Sequence, residues 1–259
     1  KPPIVIDGKL DDFAWVNIPN ASKGSLRELQ TGRLATYATQ FMTEWIGNNL
    51  YFAIRCEEPA GEALNIATKK DGDQAIWYGD CVEIEIATDA HSYYQIAINP
   101  AGSLVDLDRG ASRNQWFNWS SKAEVATAIE DGHWIVEVKL PITKDENDPL
   151  NQVVGSKPTQ SLPWFVNVCR QRIRDNGTEW SAFSPTGTGG FHAPMKFAHF
   201  HAGNSMKFPA DETVTDHLIA GHAAFTLTRA GKWNEALSAY LEMAEAEKVT
   251  DFQKSDALL

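Results

Sequence analysis

Glu83 and Glu85 stand two residues apart in the stretch "AIWYGDCVEIEIATD" (75–89), six and eight residues after Trp77. Two acids at that spacing on a β-strand fall on one face, about 6.5–7 Å apart along the chain. Carboxylate pairs roughly 5–10 Å apart cleave glycosidic bonds, so one chemistry open to this pair is that of a polysaccharide-active enzyme. Neither a third catalytic group nor surroundings that would raise one acid's pKa can be read around it. The other chemistry is recognition. A flat indole covers the C–H face of a sugar ring, and acids and amides beneath it take the hydroxyls. The plain alternative is a sheet face that is polar because it meets water.

Any of these roles needs strands that hold the acids, and the sequence supplies them. Up to about Phe200 the pattern is β. "NNLYFAIRCEEP" alternates, with Leu50, Phe52, Ile54 and Cys56 on one side and Tyr51, Ala53 and Arg55 on the other. Val82, Ile84 and Ile86 alternate against Cys81, Glu83 and Glu85. Ile96 and Ile98 alternate against Gln95, Ala97 and Asn99, and Val166 and Val168 against Asn167, Cys169 and Gln171. Turns at Asp7-Gly8, Asp131-Gly132 and Asn176-Gly177 join the segments. Many short strands with few helical stretches predict a mainly β protein, an antiparallel β-sandwich. If the strands share a sheet, Glu83, Glu85, Gln95, Asn99, Asn167 and Gln171 share its polar face. Leu10, Phe13 and Ala14 suit a helical turn plugging one end of the sandwich.

The texture changes after about Pro209. Ala236, Tyr240, Met243 and Ala244 fall on one helical stripe, and Gly231 separates two helices. The expected organisation is a sandwich over 1–205 and a C-terminal helical hairpin over 206–259. "AGKWNEALSAYLEMAEAE" resembles a tetratricopeptide helix pair, and its expected role is to bind a protein partner or join domains.

Composition narrows the partners. The 259 residues carry a net charge of −11, which repels nucleic acid and anionic membranes. No run approaches the roughly 20 apolar residues of a membrane span, so membrane insertion is not expected. Nine residues are Trp, a generous supply of stacking surfaces.

Several pieces together resemble one family. "PPIVIDGKLDDFAW", "NNLYFAIRCEEP", "IWYGDCVEIEIATD", "YYQIAINPAG", "GHWIVEVKLP", "WFVNVCRQR" and "WSAFSP...GGFHAPMKFAHF" follow the order and rough spacing of family 9 carbohydrate-binding modules, from about Pro2 to His201. The resemblance implies a non-catalytic β-sandwich attached to secreted or surface polysaccharide enzymes. It also implies structural calcium and a glycan end held between two Trp side chains over polar groups. By position, Trp77 is similar to the first stacking Trp and Glu83 to the polar residue beneath the sugar. Phe191 stands where the second Trp belongs, Ala97 where a sugar-binding Arg does, and Cys169 where a Gln does. The expected carbohydrate-binding set is therefore Trp77, Glu83, Gln95, Asn99, Asn167, Arg170, Gln171 and Phe191. The partner expected is a glycan or polysaccharide, and the location is secreted, periplasmic or cell surface.

Other readings stay open. Arg170 and Arg172 break the core parity of their strand and either clamp a carboxylated sugar or blunt an edge strand. Cys81 and Cys169 share a face, so they form a disulfide or remain reduced thiols. Asp71, Asp73, Asp106 and Asp108 offer oxygen ligands for calcium or cap solvated turns. A structural or adaptor sandwich that has lost its ligand, and a haem-binding module using Met42, Met195 or Met206, complete the alternatives.

Overall fold

The structure, a computed structural model, describes residues 3–19, 22–201, 205–207, 224, 227 and 231–245. Within these residues two sheets form. The first joins β1 (Lys23–Ser25), β3 (Thr39–Ile46), β4 (Asn49–Glu57) and β9 (His133–Thr143) in that order, with β8 (Glu124–Glu130) and β10 (Val153–Val154) both on β9. The second runs β14 (Ser205–Lys207), β13 (Ala198–His201), β11 (Trp164–Arg174), β5 (Cys81–Ala87), β6 (Tyr94–Ile98) and β7 (Leu104–Asp108). On its flank, β12 (Gly177–Ala182) pairs β11, and β2 (Arg27–Glu28) pairs β12. Every pairing is antiparallel except β9 with β10.

The expected alternation builds the core. Leu50, Phe52 and Ile54 from the first sheet meet Val82, Ile84, Ile96, Val166 and Val168 from the second in one buried cluster. The opposite parity of β4 is also covered. Tyr51 and Ala53 pack under Trp15, Ala14, Ile4 and Ile18, the residues around α1 (Phe13–Val16). This turn therefore lies on the outer face of the first sheet and does not plug an end, and Phe13 is exposed. Its anchor is Glu137, which accepts hydrogen bonds from the Asp7 and Gly8 amides and the Trp15 indole. Burial holds the Glu137 carboxyl above its ordinary pKa.

The second sheet runs to an edge of charge. Arg170, Arg172 and Arg174 follow Val166 and Val168 on the core face, because parity keeps them there. They do not leave the sandwich. Glu58 sits among them, paired with Arg170, with Arg172 at 2.9 Å and with Arg174 at 2.9 Å. Glu62 reaches Arg172 at 2.8 Å, and Asp80 reaches Arg174 at 2.7 Å. Arg170 also donates to the Thr39 hydroxyl and the Glu57 carbonyl.

The three cysteines are free, buried thiols. Cys81 lies opposite Gln171 and Cys169 opposite Glu83, so the two are diagonal neighbours across β5 and β11. That diagonal spans about 7–8 Å, beyond the roughly 4.4–6.8 Å between Cα atoms that a disulfide bridges. The reduced alternative holds. At the C-terminus α2 (Trp233–Glu245) buries Ala236 and Met243 and leaves Trp233, Leu237 and Leu241 exposed. The first helix expected in the hairpin falls almost wholly outside the described residues. No described helix is long and apolar enough to cross a membrane.

Candidate functional site

The outer face of the second sheet carries the residues that parity assembles. Glu83 lies opposite Ala97 and Cys169, and Glu85 lies opposite Gln95 and Asn167. The face does not meet water as a polar sheet ordinarily would. Glu83, Glu85, Gln95, Asn99 and Asn167 are each at most 3% exposed. Loops roof them, and the roof leaves a cleft of about 490 Å³, within the range of small-molecule sites.

One wall is the 3-10 turn Gln74–Tyr78. Asp73 starts it, accepting from the Ala75 amide at 3.0 Å and from the Thr68 hydroxyl at 2.7 Å. Those two donors hold the Asp73 carboxyl below its ordinary pKa. Ile76 is fully buried against Cys81, Ala97, Val105 and Leu107, and Trp77 beside it projects half-buried into the cleft. Gly79 lets the chain leave the turn: a Cβ there would come within 2.4 Å of the Asn65 carbonyl oxygen. The opposite wall rests on a separate apolar cluster of Leu29, Cys169, Ala182 and Phe191, with Trp180 packed against it. A third tryptophan, Trp116, comes from the 3-10 turn Arg113–Asn118 that follows β7.

The floor is a chain of side-chain hydrogen bonds. The Trp77 indole donates to Glu83 Oε1 at 2.9 Å, and the Gln95 amide donates to Glu83 Oε2. Arg109 Nε donates to Gln95 Oε1 at 2.6 Å. Arg109 Nη2 then meets His192 Nε2 at 2.7 Å. A guanidinium has no acceptor, so His192 Nε2 must accept and the ring proton sits on Nδ1. Nδ1 lies 3.0 Å from Glu85 Oε1. The contact is short but poorly directed as a hydrogen bond, and neither Glu85 oxygen has a hydrogen-bond partner among the described residues. Burial, then the neighbouring Glu85 carboxylate, push the Glu83 pKa up to about 7. The raised acid that the sequence alone does not reveal thus exists, created by the roof.

Hydrogen-bond capacity separates contact groups from positioning groups. Gln171 donates to the Trp77 and Gly79 carbonyls and accepts from the Trp180 indole, all at 3.0 Å. It braces both aromatic walls and is nearly saturated. The Trp77 indole N–H is already engaged with Glu83, which leaves its ring face. Glu83, Gln95 and Arg109 retain lone pairs or N–H groups.

The structure thus brings together Trp77, Glu83, Gln95, Gln171 and Phe191 of the expected set. It does not bring Asn99, Asn167 or Arg170. Asn99 lies past the end of β6, where it accepts from the Ala101 and Ser103 amides and donates to the Thr68 carbonyl. Asn167 exchanges hydrogen bonds with the backbone of Ser184. Arg170 points to the core face, into the acid cluster around Glu58. Sequence reasoning missed Arg109, Arg113, Trp116, Trp180 and His192. For Trp180 a signal existed: the Asn176-Gly177 hairpin sets it opposite Gln171. The acidic pairs bond to the backbone. Asp71, Asp106 and Asp108 accept from the backbone amides of Leu104, Ser121, Gly110 and Ala111. The described residues hold no group of three acids, histidines or cysteines placed for a metal.

A family model, carbohydrate family 9 binding domain-like, matches residues 6–197. Among solved structures, a family 9 carbohydrate-binding module from Caldicellulosiruptor kristjanssonii in complex with glucose is 14% identical with a TM-score of 0.53. That match covers 78% of this chain and 93% of the other. The same organism's module in complex with cellotriose is 15% identical, TM-score 0.53, with 81% and 93% covered. Likeness at this identity speaks for the fold. No curated protein matches the sequence. The chain belongs to the carbohydrate family 9 binding domain-like family, a family of non-catalytic modules.

Proposed function

We propose that the cleft holds a saccharide, with a sugar ring stacked on Trp77 and its hydroxyls taken by Glu83, Gln95 and Arg109. The observation that carries this reading is the combination of aromatic walls with a buried acid–amide floor that keeps free hydrogen-bonding capacity. A pyranose presents apolar C–H groups on its faces and hydroxyls around its rim, which is the pattern such a cleft complements. Trp180 and Trp116 supply aromatic surface on the other sides, so the loss of a second Trp at position 191 does not remove the grip. The glucose and cellotriose held by the two solved modules support the ligand class.

The test is a glycan array followed by calorimetry on the best hits, with Trp77→Ala as the control. Binding that is lost in Trp77→Ala supports the reading. Absence of binding across gluco-, galacto-, manno- and xylo-oligosaccharides contradicts it and favours a sandwich that has become structural.

A further inference from the structure

The arginines that line the cleft differ from those of β11. Arg170, Arg172 and Arg174 each meet a carboxylate at ion-pair distance. Arg109 and Arg113, which line the cleft, meet none among the described residues. Both lie over the same ring: the guanidinium carbons sit 4.2 Å and 5.8 Å from the centre of Trp116. Arg109 is fixed in place by Gln95, His192 and that ring, yet its Nη1 group has no partner among the described residues. Arg113 is exposed at the mouth. The protein as a whole carries −11, so two uncompensated cations at one end of a saccharide-sized cleft stand out from the surrounding field.

Resting on the saccharide reading above, we propose that the ligand is an acidic sugar, a hexuronate whose carboxylate is clamped by Arg109 and Arg113 beside Trp116. A planar carboxylate accepts paired N–H groups from guanidinium, and a pre-positioned fork loses less freedom on binding than a mobile one. The sugar ring then extends from Trp116 toward Trp77, and Glu83 lies on the floor beneath Trp77, taking hydroxyls. The division of the cleft into a cationic end and an acidic floor explains why one site carries both. Burial and the neighbouring Glu85 also raise the Glu83 pKa to about 7, so its protonated fraction grows below that pH and it repels an anionic ligand less.

The experiment is calorimetry with matched trisaccharide pairs of the gluco, galacto and manno series, each neutral and with C6 oxidised to the carboxylate. The expected result is that in at least one series the acid form binds about tenfold more tightly at pH 6.5 and low salt. That ratio falls toward one in 0.5 M NaCl and in Arg113→Gln, while Arg113→Lys retains part of it. Equal or weaker binding of the acid form, beside clear binding of the neutral one, overturns the uronate inference and leaves the saccharide reading standing. Binding of neither form in any series overturns both.

Discussion

On the core face of β11, Arg170, Arg172 and Arg174 meet Glu58, Glu62 and Asp80, three cations against three acids. On the outer face of neighbouring β5, Glu83 and Glu85 are as deeply buried, yet meet only neutral donors and one histidine. The first cluster closes on itself. Its charges are balanced, and each guanidinium has a carboxylate at hand. The second opens on a cleft at Glu83, holds two acids on adjacent same-face positions, and leaves Glu85 without a directed hydrogen bond among the described residues. A buried charge is tolerated when it is paired. An incompletely satisfied one marks a place where something outside the fold can complete it. Burial alone does not distinguish structure from function here, and pairing does.

The comparison makes graded predictions. Glu58→Ala removes the acid that all three arginines share. It should destabilise the protein by about 3–5 kcal/mol in chemical denaturation, and a loss under about 1 kcal/mol would show the cluster to be no more than a surface network. Trp77→Ala should act on the other side of the comparison. The expected loss of glycan affinity is on the order of 2 kcal/mol, roughly thirtyfold, with a smaller fall in stability than Glu58→Ala. Calorimetry and denaturation on the same sample separate the two effects. Asn167→Ala, which leaves the Ser184 backbone groups unpaired in a buried setting, should cost about 1–3 kcal/mol of stability. Because Asn167 does not line the cleft, sugar affinity should change little; a large affinity loss at unchanged stability would mean that it contacts the ligand.

The smallest effect concerns pH. Glu83 titrates near 7 in the folded protein and near its ordinary value of 4.5 when unfolded. Between those values the native state holds a proton that the unfolded state has released, so this group lowers stability as pH rises from about 4.5 through 7. Below 4.5 both states are protonated and the group contributes nothing to the slope. Glu83→Gln removes the titration, so the difference in melting temperature between variant and wild type should shift in the variant's favour as pH rises from 4.5 to 8. A difference that is flat over this range would mean that Glu83 is not the proton acceptor.

The sandwich was legible because alternation in β4, β5, β6 and β11 is a local signal. Parity alone put Glu83, Glu85, Gln95 and Gln171 on one face and Val82, Ile84 and Val168 on the other. What parity does not carry is whether a face is roofed. Nothing adjacent to Glu83 in sequence announces that the Gln74–Tyr78 and Arg113–Asn118 turns cover it, and so its burial and raised pKa went unread. Arg170 fails for a related reason. Its parity pointed to the core, which reads as an error until Glu58, 112 residues away in sequence, is placed beside it. Arg109 and His192 reach the cleft from loops whose course depends on tertiary packing, and their sequence neighbours give no periodic signal.

The central claim is that the outer-face cleft, and not the rest of the aromatic inventory, receives the sugar. The most direct test is to follow the nine Trp indole N–H signals by NMR while a glycan identified on the array is titrated in. The account predicts that Trp77, Trp116 and Trp180 shift in a saturable way. Trp15, bonded to Glu137, and Trp119, bonded to the Gln152 carbonyl, should stay in place. Saturable shifts confined to other tryptophans, with Trp77 unmoved, would contradict it.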